Sequence, residues 1–413
     1  MNENSFSFPY CQSGTEEITL KINSLDNLNL PKTVKAQFND GGTADVKVNW
    51  DKSALTEISD GAYELKGTLE CDAYTNPFIM ERADPYVIKH EGKYYFTASY
   101  PAFGSVEKGY DRIILRESET LLGLADAQEK TIWKAHTEGI MARHIWAPEI
   151  HYILDKWYVF FAAGDKDEIW NIRPYVLVCE GDPMTDEWKE LGKMQASSGD
   201  DVSFNSFSLD MTYFEHKGKH YLIWAEIIGD SSLFMAEIDP REPNKLISKP
   251  ILLTKPEYDW EKVTFRVNEG ASVLKYGDKV FVFFSASGTG SEYCMGVIYA
   301  DENSDLMDKS SWTKVSFPVL QTSDLVGQSG PGHNSFTIDD NRNTVIVYHA
   351  RPASHLEGKC GSICDDSLYD PCRHARIKRV YFAKDGAPII KMKDTDWVKP
   401  ELSKVKCKII VDS

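Results

Sequence analysis

Residues 81–96 read ERADPYVIKHEGKYYF. PYVIKH and KYYF alternate apolar and polar side chains at the two-residue period of a strand, and Glu91–Gly92 between them forms a tight turn, so the stretch is a β-hairpin. It returns four times: GKYYFTAS (92–99) is followed by DKWYVFFAAG (155–164), GKHYLIWAE (218–226), GDKVFVFFSASG (277–288) and RNTVIVYHAR (342–351). With Lys93, Lys156, Lys219, Lys279 and Asn343 as equivalent points, the copies lie 63, 63, 60 and 64 residues apart. A second strand (RIILRES, RPYVLVCEGD, SLFMAEID, YCMGVIYAD) follows each of the first four turns. Three of these are followed in turn by a Trp-bearing strand, TIW (131–133), EWKEL (187–191) and SWTKV (311–315). Each unit therefore supplies about four antiparallel strands. Sustained helical periodicity is scarce. A sandwich predicts no such period and a β-helix repeats at a much shorter one, so the fold expected over about residues 80–395 is an all-β, five-bladed β-propeller, whose radial packing hides the sheet edges.

The segment 18–69 also alternates, with NDGG and SDGAY turns, but lacks the repeat. Its pattern LP…V…NDG…V…W…G.Y…G resembles bacterial Ig-like modules, which implies a spacer or adhesion element and no chemistry. The expected division is a small Ig-like β domain with linker over 1–75 and a propeller over 76–413.

The chain has 413 residues, 42% apolar and 26% charged, enough for a full hydrophobic core. A net charge of −17 argues against nucleic acid and anionic membranes as partners, both of which need a basic face. The aromatic share, 12%, suits a cleft that stacks sugar rings, although β-rich proteins also place aromatics in strands. No apolar run of 18 residues is present to span a membrane. MNENSFSFPYCQ lacks the layout of a signal peptide. The expectation is a secreted or cell-surface protein whose leader has been removed, with a cytoplasmic one as the alternative. Cys360, Cys364 and Cys372 crowd one loop beside His355 and His374; without a paired C-x-x-C, a loop disulfide or free thiols is expected over a zinc site.

In a propeller the innermost strand of each blade lines the axis, with its N-terminal end at one mouth. Seven to ten residues before each repeat marker stand Asp84 in ADPYV, Glu149 in WAPEIHY, Asp210 in FSLDMTYF, Glu269 in NEGASV and Asn334 in GHNSFT. Four of five blades thus offer an acid at what reads as one position. Converging carboxylates raise each other's pKa and are not gathered without a use. Two uses fit: oxygen ligands around calcium, or the acid and base of glycoside hydrolysis.

ADPYV…GKYYF, HIWAPEIHY, FSLD, NEG and GHNSF resemble glycoside hydrolase family 43, inverting five-bladed propellers acting on arabinose- and xylose-containing polysaccharides. The similarity spans about 80–395. It implies Asp84 as the general base that activates water, Glu269 as the general acid, and Asp210 as the residue that holds the acid and keeps its pKa high. It places Trp146 near the sugar. Glu149 has two readings, a ligand of a sugar hydroxyl or an acceptor for backbone donors. GPGHNSF implies His333 on the axis, helping to bind a cation, often Ca2+, through water; the other reading is a hydrogen-bonded core histidine. In RHARIKRVYF the sugar-reaching arginine is expected to be Arg376, with Arg351 as the alternative. The insertion CGSICDDSLYDPC (360–372) departs from the family pattern.

The expected activity is inverting release of terminal α-L-arabinofuranosyl units from plant cell-wall polysaccharides or oligosaccharides, with no organic cofactor. The alternatives are a β-xylosidase or endo-arabinanase of the same fold and, in another class, a non-catalytic carbohydrate-binding propeller. The presence of Asp84, Asp210 and Glu269 weighs against the last.

Overall fold

The computed structural model describes the chain except residues 56–60, 72–73, 102–108, 357–365 and 412–413. Two compact units emerge: Met1–Tyr74 with Val380–Ser413, and Thr75–Arg379. The first is a six-stranded sheet in the order Gln12–Thr15, Thr33–Phe38, Thr43–Trp50, Gly61–Glu70, Lys404–Val411, Ile18–Ile22. Its strands bury alternate side chains, Val34, Ala36 and Phe38 in one and Val405, Cys407 and Ile409 in another, as a sheet with one covered face requires. The chain's last strand lies inside this sheet, antiparallel to Gly61–Glu70 and parallel to Ile18–Ile22. Residues 380–413 therefore group with the small β unit rather than with the propeller, where the expected boundary had put them. The alternation of KVKCKIIV is visible in sequence; its partner strands, more than 330 positions earlier, are not.

The second unit is a five-bladed propeller. The first four blades are four-stranded or larger, beginning with Ala83–His90, Arg143–Ile153, Ser208–His216 and Asn268–Tyr276 as inner strands. The TIW, EWKEL and SWTKV segments supply strands Lys130–Lys134, Lys189–Lys193 and Thr313–Lys314 at the outer edges of the first, second and fourth blades. The fifth blade has three strands among the described residues, Gln328–Ile338, Thr344–Pro352 and His374–Arg379. Its outer edge is met by the segment entering the propeller: Phe78 N–H donates to Ala375 O (2.8 Å), Ala375 N–H to Ile79 O (2.9 Å), and Ile377 N–H to Asn76 Oδ1 (2.8 Å). Each inner strand packs on the next, and the fifth on the first, so the ring is closed. Aromatic and aliphatic strand residues fill the space between blades, for example Phe160, Trp224 and Met211 between the second and third.

All five inner strands break register at one equivalent place, and those of the second and fifth blades do so at an earlier one as well. The paired residues jump from Ala83↔Ser99 to Tyr86↔Thr97, Trp146↔Ala162 to Glu149↔Phe160, Leu209↔Ala225 to Thr212↔Ile223, Glu269↔Ser285 to Ser272↔Phe283, and Gly332↔His349 to Ser335↔Val347. Two residues thus oppose one, a β-bulge in every blade. The residue just inside each bulge has positive φ: Asp84 (51°), Ala147 (46°), Asp210 (55°), Gly270 (57°) and His333 (44°). Only one is glycine, so four non-glycine residues carry a left-handed backbone around the axis, a strain that clusters at functional sites.

A bulge frees an amide from its own ladder, and here most are caught by the preceding blade. Asp84 N–H donates to His349 Nδ1 (3.1 Å), Ala147 N–H to Ser99 Oγ (2.8 Å), and His333 N–H to Ser285 Oγ (2.7 Å). Ser99, Ser285 and His349 are the residues opposite the bulges of their own blades. In the third blade that residue is Ala225, which has no acceptor, and the Gly270 amide donates to Asp210 Oδ2 instead (3.0 Å).

Candidate active site

The bulges open into a cavity of about 660 Å³ lined by Asp84, Asp210, Glu269, His333, Trp146, Tyr293 and Arg373, with a rim that includes Trp170, Phe207, Ile227, Phe265 and Leu368. The structure thereby brings together the three carboxyls expected from sequence, with Trp146 and His333. It changes their register. Asp84 and Asp210 share the bulge position with Ala147, Gly270 and His333; Glu269 stands one residue earlier, where the second blade has Trp146. Glu149 stands two residues later than Ala147, and Asn334 one later than His333. The four acids are therefore not one structural position.

Asp84 is buried and takes a short hydrogen bond from Ser99 Oγ on Oδ2 (2.6 Å). Its Oδ1 lies 3.2 Å from His349 Nδ1, 3.4 Å from His333 Nδ1 and 3.5 Å from Arg373 Nη1. Burial alone would push this carboxyl up, but His333, Arg373 and His349 outweigh it and hold it well below the usual carboxylate range. Burial also pushes both histidines down, His349 to about 3, so near neutral pH they are uncharged. The fixed charge that keeps Asp84 ionised is then the guanidinium of Arg373. The backbone agrees for His349: its Nδ1 accepts the Asp84 amide, which puts the ring proton on Nε2.

Asp210 is as buried, and its carboxyl is pushed strongly upward, first by burial and then by Glu269 and Asp84; the Gly270 amide opposes this only partly. Glu269 is raised to about 7, first by burial and also by Asp84, against the hydrogen bond from Tyr293 OH to its Oε1 (2.8 Å) and the charge of Arg373. Because Asp210 holds the amide of the residue following Glu269, it fixes the backbone from which the glutamic acid projects. The cavity at neutral pH thus contains an ionised carboxylate in Asp84, a carboxyl driven toward its protonated form in Asp210, and, in Glu269, one poised between the two forms.

Glu149 lies outside the cavity lining. It is buried against His151 (Oε2 to Nε2, 3.0 Å), whose Nδ1 meets Tyr86 OH at 3.3 Å. Burial drives Glu149 up and His151 down to about 3, so this is a neutral hydrogen-bonded chain joining the first and second blades. Of its two readings, the geometry favours the internal one. The arginines are reassigned. Arg376 is paired with Tyr348 in the fifth blade and donates from Nε to Ala350 O (3.0 Å), away from the cavity lining. Arg351 donates to Asp370 Oδ2 (2.6 Å), Thr289 O (2.6 Å) and Ser367 O (2.5 Å), holding the loop that edges the cavity. Arg373 is the arginine beside the cavity's carboxyls, 3.5 Å from Asp84, and it is bonded to Tyr110 OH (2.6 Å) and Leu368 O (2.9 Å). Strand direction is the signal that identifies it: the third strand of each blade runs away from the mouth, so its beginning, not its middle, faces the site. Tyr293 and His349 carried no sequence signal, since SEYCMG and VYHAR read as ordinary strand.

His333 Nδ1 lies 3.4 Å from Asp84 Oδ1 and 3.7 Å from Asp210 Oδ2. Among the described residues, the group of His, Cys, Asp or Glu atoms within 4.8 Å of one another is His355, Asp370 and Cys372. There Asp370 Oδ2 already meets Arg351 and, at 3.1 Å, His355 Nε2. Cys360 and Cys364 lie outside the described residues.

The sequence matches the family described as Glycosyl hydrolases family 43 over residues 74–388 and the Bacterial Ig-like domain (group 4) over 15–73. Two relatives are named extracellular exo-α-(1→5)-L-arabinofuranosidase. That of Streptomyces avermitilis is 42% identical over 334 residues, 79% of this chain and 65% of the relative. That of Streptomyces chartreusis is 43% identical over 292 residues, 69% of this chain and 84% of the relative. The chain thus spans less than two thirds of the length of the first. A crystal structure of α-L-arabinofuranosidase from Lactobacillus brevis superposes with a TM-score of 0.68 at 41% identity, covering 77% of this chain and 96% of the other. Among the described residues no helix is long and apolar enough to cross a membrane.

Proposed function

This chain belongs to glycoside hydrolase family 43, and from that premise we propose that it is an inverting, exo-acting α-L-arabinofuranosidase. The observation that carries the reading is the division of charge in one cavity: an ionised Asp84 facing Glu269, which holds its proton up to about neutral pH. In the proposed reaction Asp84 takes a proton from water as the water oxygen bonds to the anomeric carbon. The glycosidic C–O bond breaks as Glu269 gives its proton to the leaving oxygen, and solvent exchange restores both groups. Asp210 touches neither reacting oxygen in this scheme; it positions Glu269 through the Gly270 amide. Arg373 keeps Asp84 ionised, and Trp146 forms a wall for the sugar.

The names of the relatives support an arabinose-containing polysaccharide or oligosaccharide as substrate and an extracellular location. A cation on the axis is part of the proposal in a limited form. Asn334 Oδ1, next in sequence to His333, is buried and accepts no hydrogen bond, which suits a water or a hydrated Ca2+. Bound there, the ion would supply fixed positive charge; the ligand groups at His333 do not suit direct coordination, and no step depends on it.

Hydrolysis of 4-nitrophenyl α-L-arabinofuranoside and β-D-xyloside, followed by NMR of the first-formed anomer, tests the reading. Inversion on the arabinoside is expected. Retention, or turnover of the xyloside alone, would overturn it, and turnover of neither would favour a binding protein.

A further inference from the structure

A line of hydrogen bonds ends on Glu269, and its direction is fixed where it starts. The His333 amide can only donate, and it gives its proton to Ser285 Oγ (2.7 Å). The Ser285 hydroxyl hydrogen-bonds in turn to the phenol of Tyr293, and Tyr293 OH donates to Glu269 Oε1 (2.8 Å). Each hydroxyl accepts from the group behind it and gives to the group ahead, so the line runs from the fifth-blade bulge to one oxygen of the acid. The phenol keeps its proton throughout. Burial pushes it well above the ordinary tyrosine value, and Glu269, Asp210 and Asp84 push it further. The ring is seated to hold this aim. It lies parallel to the imidazole of His349, with centroids 5.6 Å and planes 8° apart. It also passes so close to Gly332 that a Cβ there would come within 2.0 Å of the ring, so the second glycine of GPGHNSF makes room for the phenol.

Glu269 lines the cavity, and its Oε2 takes no hydrogen bond among the described residues. A carboxyl that already receives a proton on one oxygen carries its own on the other. We propose that Tyr293 is a positioning residue: by donating to Oε1 it assigns the proton of Glu269 to Oε2, the oxygen left for the leaving group. This rests on Glu269 being the general acid of the reaction proposed above. The same bond acts on the acid's charge. Burial and Asp84 favour the protonated form of Glu269, whereas the Tyr293 bond and the Arg373 guanidinium favour the ionised one. Asp210, driven toward its own protonated form, holds the Gly270 amide, and His333, 3.7 Å from Asp210, is uncharged near neutral pH. Removing the phenol takes away one of the two groups that favour ionisation, so Glu269 should then keep its proton to higher pH.

The test compares a poor leaving group with a good one. kcat/KM is measured against pH for methyl and 4-nitrophenyl α-L-arabinofuranoside in wild type, Tyr293→Phe and Gly332→Ala, with rates normalised to the folded fraction by circular dichroism. Methanol departs only with a proton from an acid; nitrophenolate needs little help. In Tyr293→Phe the plateau for the methyl glycoside is expected to fall about tenfold, and that for the nitrophenyl glycoside by less than about threefold. The basic limb for the methyl glycoside is expected to move up by about half a unit or more. Gly332→Ala, which displaces the phenol without removing it, should move that limb the same way. Equal losses on the two glycosides, or a basic limb in Tyr293→Phe that stays in place or moves down, overturn the inference. Failure of the wild type to hydrolyse either arabinoside overturns the reading beneath it, and the inference with it.

Discussion

Asp84 and Asp210 are the same residue type at the same bulge position, in the first and third blades, both with positive φ and both buried. Their chemistry is opposite. Asp84 has Arg373 at 3.5 Å and a serine hydroxyl on its other oxygen, and it stays ionised. Asp210 has a neighbouring glutamate and an amide, and it is pushed toward its protonated form. The propeller supplies equivalent positions; what each position does is decided by the neighbours that the adjacent blade and the fifth-blade strand bring to it. A pseudo-symmetric scaffold thus yields asymmetric chemistry by placing one guanidinium.

The largest expected effect breaks this pair apart. Asp84→Asn removes the proton acceptor and should cost about 10³-fold or more in kcat, as lost general-base catalysis does. Asp210→Asn keeps a neutral side chain with an oxygen for the Gly270 amide, so it should cost about tenfold or less, with Asp210→Ala worse than Asp210→Asn. Comparable losses in the two Asn variants would mean that Asp210 acts as an anion, contrary to its surroundings.

Next comes the pH profile. A group raised above its unfolded value is protonated below its folded pKa, so activity that needs Glu269 protonated should be lost as pH rises through about 7 in kcat/KM. By the same linkage, stability contributed by the bound proton is present below the ordinary glutamate value and lost as pH rises through about 7. Glu269→Gln should therefore gain in Tm relative to wild type above that pH; no relative gain would place the raised group elsewhere. Arg373→Met is expected to act on the other limb. Without the guanidinium, Asp84 loses its fixed counter-charge, and the acid limb should move up by about one unit or more. A profile shifted only on its basic side would argue that Arg373 serves Glu269 instead.

The smallest effect concerns the scaffold both residues share. Ser285→Ala leaves the His333 amide without its acceptor and should cost about 1–3 kcal/mol, read as a Tm lower by a few degrees. The same change at Ser99 should also weaken catalysis, since that hydroxyl donates to Asp84.

The five-fold repeat was legible because each blade repeats its hairpin almost residue for residue, as YYFTAS and YVFFAA show. The small β unit was legible from its alternation, except for its final strand. The three carboxyls were found, but their registers were read as one when they differ: a window of seven to ten residues is coarser than a side-chain period of two, and the bulge adds a residue that no pattern announces. Glu149 was drawn in by that coarseness. Arg373 was passed over for Arg376 because both sit in RHAR, and only strand direction tells them apart. Tyr293 was invisible for a different reason. It reaches Glu269 across a turn, and nothing in SEYCMG distinguishes a phenol that packs from one that bonds the acid.

Lys404–Val411 has a consequence for synthesis. Because this strand is interior to the first unit's sheet, the ribosome releases the whole of Thr75–Arg379 before that sheet has all its strands. Until Lys404–Val411 emerges, Gly61–Glu70 and Ile18–Ile22 each present an unpaired edge in the nascent chain, the kind of surface that recruits stray strands. Of the two units, the one begun first is the one completed last.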